Sequence, residues 1–230
     1  MVLLKKTFCR DCMASAVKKG HAKSKAEPRP SSGGKAPEHG KHTPRLGIID
    51  GPSGDTRLKS GVHSCSLYES EAEHQAQVVA FINDGFRKGE KVVYAVDAEI
   101  PDRVLGYFSQ QGRGVGPFVK SGQLEIHSTS SIYAPSGAFD NAHMIARLKI
   151  LLDHTLKEGY TGLRATGEMS WALRGWPGSD RLLEYEIKLN SLIAGSKCLA
   201  LCQYHVPAFK ASLLRNIRAS HSVVLEKGTA

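Results

Sequence analysis

From residue 62 onward, short apolar strand patterns alternate with amphipathic helix patterns. The predicted strands are VHSCSLY (62–68), KVVYAVD (91–97), QLEIHS (123–128), GLRATGE (162–168), KCLALCQY (197–204) and SVVL (222–225). Strands that alternate with helices are joined by right-handed crossovers into a parallel sheet. We therefore predict an α/β domain over residues 62–230, with a doubly wound, mostly parallel sheet.

Helix-end signals lie between these strands. Ser70 and Glu73 have the spacing of a capping box, which predicts a helix from Glu71 to Lys88 that ends at Gly89. The other predicted helices run from Pro101 to about Gln111, from an Asp140 N-cap to Glu158, from a Ser179 N-cap to about Ile193, and onward from Pro207. Each helix would pack on one face of the sheet.

The composition is that of an ordinary globular protein. The 230 residues are 41% hydrophobic and 23% charged. No apolar run approaches the roughly 18–20 residues needed to span a bilayer. The paired leucines near the N-terminus are too short for the apolar region of a signal peptide. We therefore expect a cytoplasmic protein with no membrane partner.

The positive charge is concentrated before the predicted domain. Residues 1–61 contain thirteen basic and five acidic side chains, a net charge of +8, whereas residues 62–230 have a net charge of +1. The stretch EPRPSSGGKAPEHGKH (27–42) has no apolar periodicity and is typical of a linker. We predict that residues 1–61 form a basic, largely disordered arm. It is either a solvated tail or, through residues 1–45, a contact for nucleic acid or another phosphate-bearing surface.

The cysteines allow more than one interpretation. Cys9 and Cys12 form a C-x-x-C with His21 downstream, which could bind zinc, although a structural zinc site needs four ligands. A redox dithiol and inert reduced cysteines remain alternatives. Cys198 and Cys202 lie four residues apart on a predicted strand and hence on one face, where buried, inert thiols are favoured over a metal site.

The segment LGIIDGPSGDT (46–56) has glycines spaced somewhat like those of a phosphate loop. It lacks the lysine that reaches the β- and γ-phosphates, and Asp55 stands beside Thr56 instead. The turn after the first predicted strand, YESEAEH, has three acidic side chains that would repel phosphate. The sequence therefore favours plain turns at both places.

Polar and aromatic side chains follow the predicted strands at their carboxyl ends, where parallel α/β sheets bind ligands. The candidate ligand-binding residues are Tyr68, Glu69, Glu168, Trp171, Arg174, Gln203, Tyr204 and His205. Such a set could line a small-molecule pocket, but its carboxylates could equally cap helices and Trp171 could belong to the core. No G-x-S-x-G nucleophile motif is present. We therefore assign no catalytic residue and predict that the protein is not an enzyme.

Three stretches together resemble a known family, the DcmR-type sensory (MEDS) domain of methanogen and methylotroph regulators. They are HSCSLYESEAEH (63–74), TGEMSWALRGWPGSDRLLEYEIKLN (166–190) and CLALCQYH (198–205). The motif positions that carry over are His63, Tyr68, Glu69, Glu71, His74, Gly167, Glu168, Trp171, Glu184, Glu186, Gln203 and Tyr204. The resemblance spans about residues 62–225 and implies a RecA/KaiC-like three-layer core without a working phosphate loop.

The same resemblance implies a function. It suggests a non-enzymatic small-molecule sensor in signal transduction or transcription regulation, with one-carbon or halogenated hydrocarbon metabolites as ligands. It also implies a regulatory partner, either a kinase or a DNA-binding regulator, because the first 60 residues contain no such module. Two alternatives remain: a RecA/KaiC-like nucleotide-binding ATPase, and a nucleic-acid-binding protein that acts through its basic arm.

Overall fold

The computed structural model describes residues 57–97, 102–109 and 114–226. The predicted zinc ligands Cys9, Cys12 and His21, and the nucleic-acid contact through residues 1–45, lie outside the described residues. Leu58 is already buried in the core, and the Gly61 N–H donates to the Cys198 carbonyl oxygen at 2.7 Å. The packed domain therefore includes residues ahead of position 62.

Six strands form one sheet in the order β3-β2-β4-β5-β1-β6, and all neighbouring strands are parallel. They are β1 (His63–Tyr68), β2 (Lys91–Val96), β3 (Leu124–Ser128), β4 (Leu163–Glu168), β5 (Cys198–His205) and β6 (Val223–Glu226). Strands β2 and β5 are buried along nearly their whole length because helices cover both faces of the sheet. The predicted parallel α/β sheet is confirmed.

Seven α-helices lie in the described residues. They are α1 (Glu71–Lys88), α2 (Asp102–Ser109), α3 (Gly116–Ser121), α4 (Thr129–Tyr133), α5 (Asn141–Lys157), α6 (Leu182–Ile193) and α7 (Ala211–Ser220). The predicted capping box of Ser70 and Glu73 is present at the start of α1, and Gly89 ends that helix with φ 69°. The Asp140 N-cap of α5 is also confirmed.

Two predicted helix starts are wrong. Ser179 begins a 3₁₀ turn (Ser179–Arg181) and caps no helix, because the chain turns tightly at Gly178, where φ is 84°. Helix α6 then begins at Leu182 without a side-chain cap. Pro207 lies in another 3₁₀ turn, and α7 begins only at Ala211. The short helices α3 and α4 were not predicted because a few residues cannot establish a helical period.

The sheet separates two hydrophobic cores. One core lies on the side of α5, α6 and α7 and contains Ala200 and Cys202 of β5. The other lies on the side of α1 and α2 and contains Leu199 and Leu201 of the same strand. Successive strand residues point to opposite faces of the sheet. Neighbouring residues of β5 therefore pack in different cores.

Candidate ligand site at the carboxyl ends of the strands

The parallel sheet brings the carboxyl ends of its strands to one edge. Tyr68 at the end of β1 is in register with His205 of β5, and Glu168 at the end of β4 is in register with Gln203. Residues that are far apart in sequence therefore meet at this edge, as the rule for parallel α/β sheets predicts.

A buried hydrogen-bonded network lies at the centre of the edge. The Tyr94 hydroxyl donates to Glu168 Oε1 at 2.7 Å and lies 3.3 Å from His74 Nε2. Gln203 Nε2 donates to Thr166 Oγ1 at 2.5 Å, which turns the amide oxygen of Gln203 toward His74 Nε2. His74 therefore carries its proton on Nε2 and donates it to Gln203. Tyr94, His74, Glu168 and Gln203 are each at most 3% exposed.

The network reaches the surface through Asp97. The Asp97 backbone N–H donates to Glu168 Oε2 at 3.1 Å, and the Asp97 carboxylate accepts hydrogen bonds from Thr129 and Ser170. Arg174 pairs with Asp97 Oδ1 at 2.8 Å and also donates to its backbone carbonyl oxygen. The Arg174 side chain is 41% exposed. A polar path thus runs from the buried Glu168 carboxylate to a solvent-accessible guanidinium.

Aromatic rings lie beside this path. The Tyr68 ring stacks on His74 with centroids 4.4 Å apart and on His205 with centroids 5.3 Å apart. Tyr107 meets His74 edge-on at 6.1 Å and donates its hydroxyl hydrogen to Glu71. Apolar ring faces next to a few fixed hydrogen-bonding groups are typical of small-molecule sites.

The start of α1 uses its own side chains as hydrogen-bond partners. Glu73 Oε2 accepts from the backbone N–H groups of Glu69, at 2.8 Å, and Ser70, at 3.3 Å. The Ser70 hydroxyl accepts from the N–H of Glu73 at 3.3 Å. Helix starts that bind phosphate do so through such N–H groups. Here the Glu73 carboxylate already occupies two of them, and Glu69 and Glu71 add negative charge, so this turn disfavours a phosphate ligand.

The structure brings together most of the predicted ligand-binding residues. Tyr68, Glu168, Gln203 and His205 belong to the network or to its aromatic stack, and Arg174 joins through Asp97. The predicted residue Glu69 lies exposed at the same edge. We call the joined set the rim group; it consists of Tyr68, His74, Tyr94, Asp97, Glu168, Arg174, Gln203 and His205.

Trp171 and Tyr204 are not joined to the rim group. Trp171 is fully buried and packs against Tyr133 and Phe139, with ring centroids 4.7 and 4.5 Å away. Tyr204 projects to the other side of the sheet and donates its hydroxyl hydrogen to Glu186. Burial, followed by the negative charge of Glu186, raises the pKa of Tyr204 well above 10, so its hydroxyl stays neutral. Neither residue is included in the site proposed below.

Tyr94 and Asp97 were not among the predicted ligand-binding residues. Tyr94 lies in the middle of the apolar run KVVYAV, where a tyrosine is usually a core residue. Asp97 follows that strand, and its position at a strand end was the one available signal. Their hydrogen bonds to Glu168 depend on the order of strands β2 and β4, which strand patterns do not specify.

The architecture is that of RecA/KaiC-like proteins. A KaiC-like protein from Pyrococcus horikoshii matches with a TM-score of 0.54 and 16% identity, over 75% of this chain and 76% of that one. The flagellar accessory protein FlaH from Methanocaldococcus jannaschii matches with a TM-score of 0.50 and 14% identity, over 73% and 71% of the two chains. At these identities the likeness shows the fold alone.

The family follows from the sequence comparison. The family model described as "MEthanogen/methylotroph, DcmR Sensory domain" (MEDS) matches residues 62–222, well over half of the chain. The chain belongs to the MEDS family, and the resemblance seen in its motifs is confirmed. A sensory or regulatory role follows from this membership.

A curated relative agrees with that role. The transcriptional repressor DcmR of Methylorubrum extorquens is 24% identical over 162 residues. The match covers 69% of this chain and 57% of the repressor, so the chain spans little more than half of that protein's length. Within the part of the chain that the structure describes, no helix is long and apolar enough to cross a membrane.

Proposed function

We propose that this chain is a non-enzymatic sensor that binds a small organic molecule at the rim group. The ligand is uncharged or cationic, since the Glu73 carboxylate already occupies the N–H groups of Glu69 and Ser70 just ahead of α1 and acidic residues surround them. The single observation that supports the proposal best is the buried network of Tyr94, Glu168, His74 and Gln203, which opens to solvent at Arg174.

The network connects the site to the rest of the fold. Tyr94 belongs to β2, Glu168 to β4, Gln203 to β5 and His74 to α1. A ligand that replaces one of these hydrogen bonds changes the partners available to the others, because each buried polar group must stay bonded. Binding would then favour the arrangement of strand ends that the ligand fits better, which is how a sensor shifts its population of states.

We also propose a class of ligand and an output partner. The family is named for methanogens and methylotrophs, which supports a one-carbon or halogenated hydrocarbon derivative. The repressor relative supports an output in transcription regulation. As the output partner we propose a regulatory protein, either a kinase or a DNA-binding regulator.

A thermal-shift screen tests the site. The probes are methanol, methylamine and chlorinated methanes, applied to the full chain and to two variants. In Glu168→Gln the buried rim carboxyl group becomes an amide. In the matched control Glu184→Gln an exposed carboxyl group on α6 is replaced in the same way. We expect at least one compound to raise the melting temperature of the wild type and the control, and to raise that of Glu168→Gln much less. Equal shifts in all three proteins for every active compound would contradict the proposed site.

A further inference from the structure

A second cluster, made of side chains of the types that bind metal ions, lies on the opposite face of the sheet from Gln203. It consists of His63 at the start of β1, Glu186 on α6, Cys202 on β5 and His221 directly after α7. One potential ligand atom from each residue lies within 4.8 Å of all the others. All four residues are buried, with at most 8% of their surface exposed. The rim group does not include any of them.

The distances in this cluster match the edges of a coordination tetrahedron. Zinc binds imidazole nitrogen at about 2.0–2.1 Å, carboxylate oxygen at about 2.0–2.2 Å and thiolate at about 2.3 Å, which separates tetrahedral ligand atoms by roughly 3.3–3.6 Å. Glu186 Oε2 lies 3.1 Å from His63 Nε2, 3.3 Å from His221 Nε2 and 3.4 Å from Cys202 Sγ. His63 Nε2 lies 3.5 Å from Cys202 Sγ. Four of the six edges therefore have nearly the length that a bound ion requires.

Groups around the cluster bind the Nδ1 atoms of its two histidines, which orients their Nε2 atoms toward its centre. Asn190 donates from Nδ2 to the Ser220 carbonyl oxygen at 2.9 Å, which leaves its Oδ1 to accept from His63 Nδ1 at 3.0 Å. His221 Nδ1 lies 2.7 Å from the carbonyl oxygen of Ile217, to which it must donate. With a proton on each Nδ1, a neutral imidazole presents the lone pair of Nε2. Such second partners are the usual support of metal-bound histidines.

The carboxylate is supported in the same way. Glu186 Oε1 accepts the hydroxyl hydrogen of Tyr204, which leaves Oε2 to face both imidazoles and the thiol. Two imidazole lone pairs and a carboxylate oxygen thus converge on one buried point. Three electron-rich atoms this close together, away from water, need a cation or added protons between them.

We propose that His63, Glu186, Cys202 and His221 bind one Zn²⁺ ion at a closed structural site. Thiolate, carboxylate and two neutral imidazoles fill a zinc tetrahedron and leave no position for a substrate. The charges of the thiolate and the carboxylate balance that of the ion, so the buried site is neutral. Binding releases the thiol proton of Cys202 to solvent.

The proposed ion would join elements that are distant in sequence. His63 and Cys202 are on the neighbouring strands β1 and β5, whereas Glu186 and His221 come from the helical layer that covers them. One ion would therefore fix α6 and the end of α7 on the sheet beneath them. The competing interpretation is a metal-free cluster in which protonated histidines pair with Glu186.

Cobalt substitution distinguishes the two interpretations. The experiment uses the full chain with Cys9→Ser and Cys12→Ser, so that the N-terminal C-x-x-C cannot supply a signal. We expect Co²⁺ to give tetrahedral ligand-field bands and a thiolate-to-cobalt charge-transfer band. That band should disappear in Cys202→Ser and persist in the matched control Cys198→Ser, a buried cysteine of the same strand outside the cluster. Persistence of the band in Cys202→Ser would overturn the proposal.

If Cys202→Ser does not fold, the metal content of a chain with an unsubstituted cluster still tests the proposal. The same Cys9→Ser, Cys12→Ser chain is purified with zinc and dialysed, and its metal content and X-ray absorption spectrum are recorded. We expect one zinc per chain with a single sulfur ligand at about 2.3 Å. A chain that folds but retains no zinc, or a zinc shell without sulfur or with several sulfurs, would overturn the site. These outcomes leave the proposed function of the rim group unaffected.

Discussion

At the scale of single residues, the buried charge of Arg164 makes the sharpest stability prediction. Its guanidinium is fully buried and is held by Glu90, by Asp84 at 2.8 Å and by the Phe81 carbonyl oxygen at 3.0 Å. Replacing Arg164 by Met leaves two carboxylates without this partner. We expect the free energy of unfolding in urea to fall by about 3–5 kcal/mol. The control is Lys188→Met, which breaks an exposed ion pair and should change it far less.

Asp84, a carboxylate that pairs with Arg164, makes the stability of the fold depend on pH. Burial opposes ionisation of Asp84, but the hydrogen bond from Lys88 and the charge of Arg164 outweigh it and hold the pKa below 3.8. When the folded pKa is depressed, the stabilisation is present above the unfolded pKa and is lost as the pH falls through the folded one.

We therefore expect the wild type to be more stable than Asp84→Asn at about pH 6 and to lose much of that advantage toward about pH 3. Urea titrations of both proteins at each pH measure the difference. A difference that stays constant or grows on acidification would contradict the predicted direction of the Asp84 shift. The change to Asn keeps the size of the side chain, so packing contributes little to the comparison.

Single residues also show which parts of the site could be predicted from the sequence and which could not. The strand-end rule found Tyr68, Glu168 and Gln203, which the structure does bring together. It also selected Trp171, because residues after a strand end can turn either toward solvent or back into the core. The direction of Trp171 is set by its contacts with Tyr133 and Phe139, which come from distant parts of the chain. Contacts of that kind are not encoded in local spacing.

At the scale of elements, the two predicted serine caps provide a matched pair. Ser70 accepts from the N–H of Glu73 and caps α1, whereas Ser179 begins a 3₁₀ turn and makes no side-chain cap. Ser70→Ala should lower the free energy of unfolding by about 1 kcal/mol. Ser179→Ala should lower it clearly less. Chemical denaturation of both variants checks this, and equal losses would mean that the difference in capping has no energetic effect.

The elements themselves were largely predictable, but their arrangement was not. All six strands could be located from the sequence, because strand patterns such as the apolar run of β2 alternate with helix patterns along the chain. The order β3-β2-β4-β5-β1-β6 could not be derived, because strand pairing is non-local and any strand could pair with several others. This order puts Tyr94 beside Glu168 and His63 beside Cys202, which is why both clusters emerge only in the folded chain.

At the scale of the whole molecule, a RecA/KaiC-like fold raises the question of nucleotide binding. Just ahead of α1, the N–H groups of Glu69 and Ser70 are bonded to the Glu73 carboxylate, and acidic residues surround them. We therefore expect isothermal titration of the full chain with ATP and magnesium to show no saturable binding. Binding that Glu168→Gln abolishes would instead favour a nucleotide-binding ATPase.

Hydrogen exchange of the full chain, with and without the most stabilising compound from the screen, tests whether a ligand binds at the rim group. We expect slower amide exchange at the carboxyl edge of the sheet, in residues 68–74, 94–97, 166–174 and 201–205, since a bound ligand suppresses local opening there. Residues at the opposite ends of the strands should change little. Protection confined to those opposite ends, or no protection in the presence of a compound that raises the melting temperature, would contradict a sensory site at the rim group.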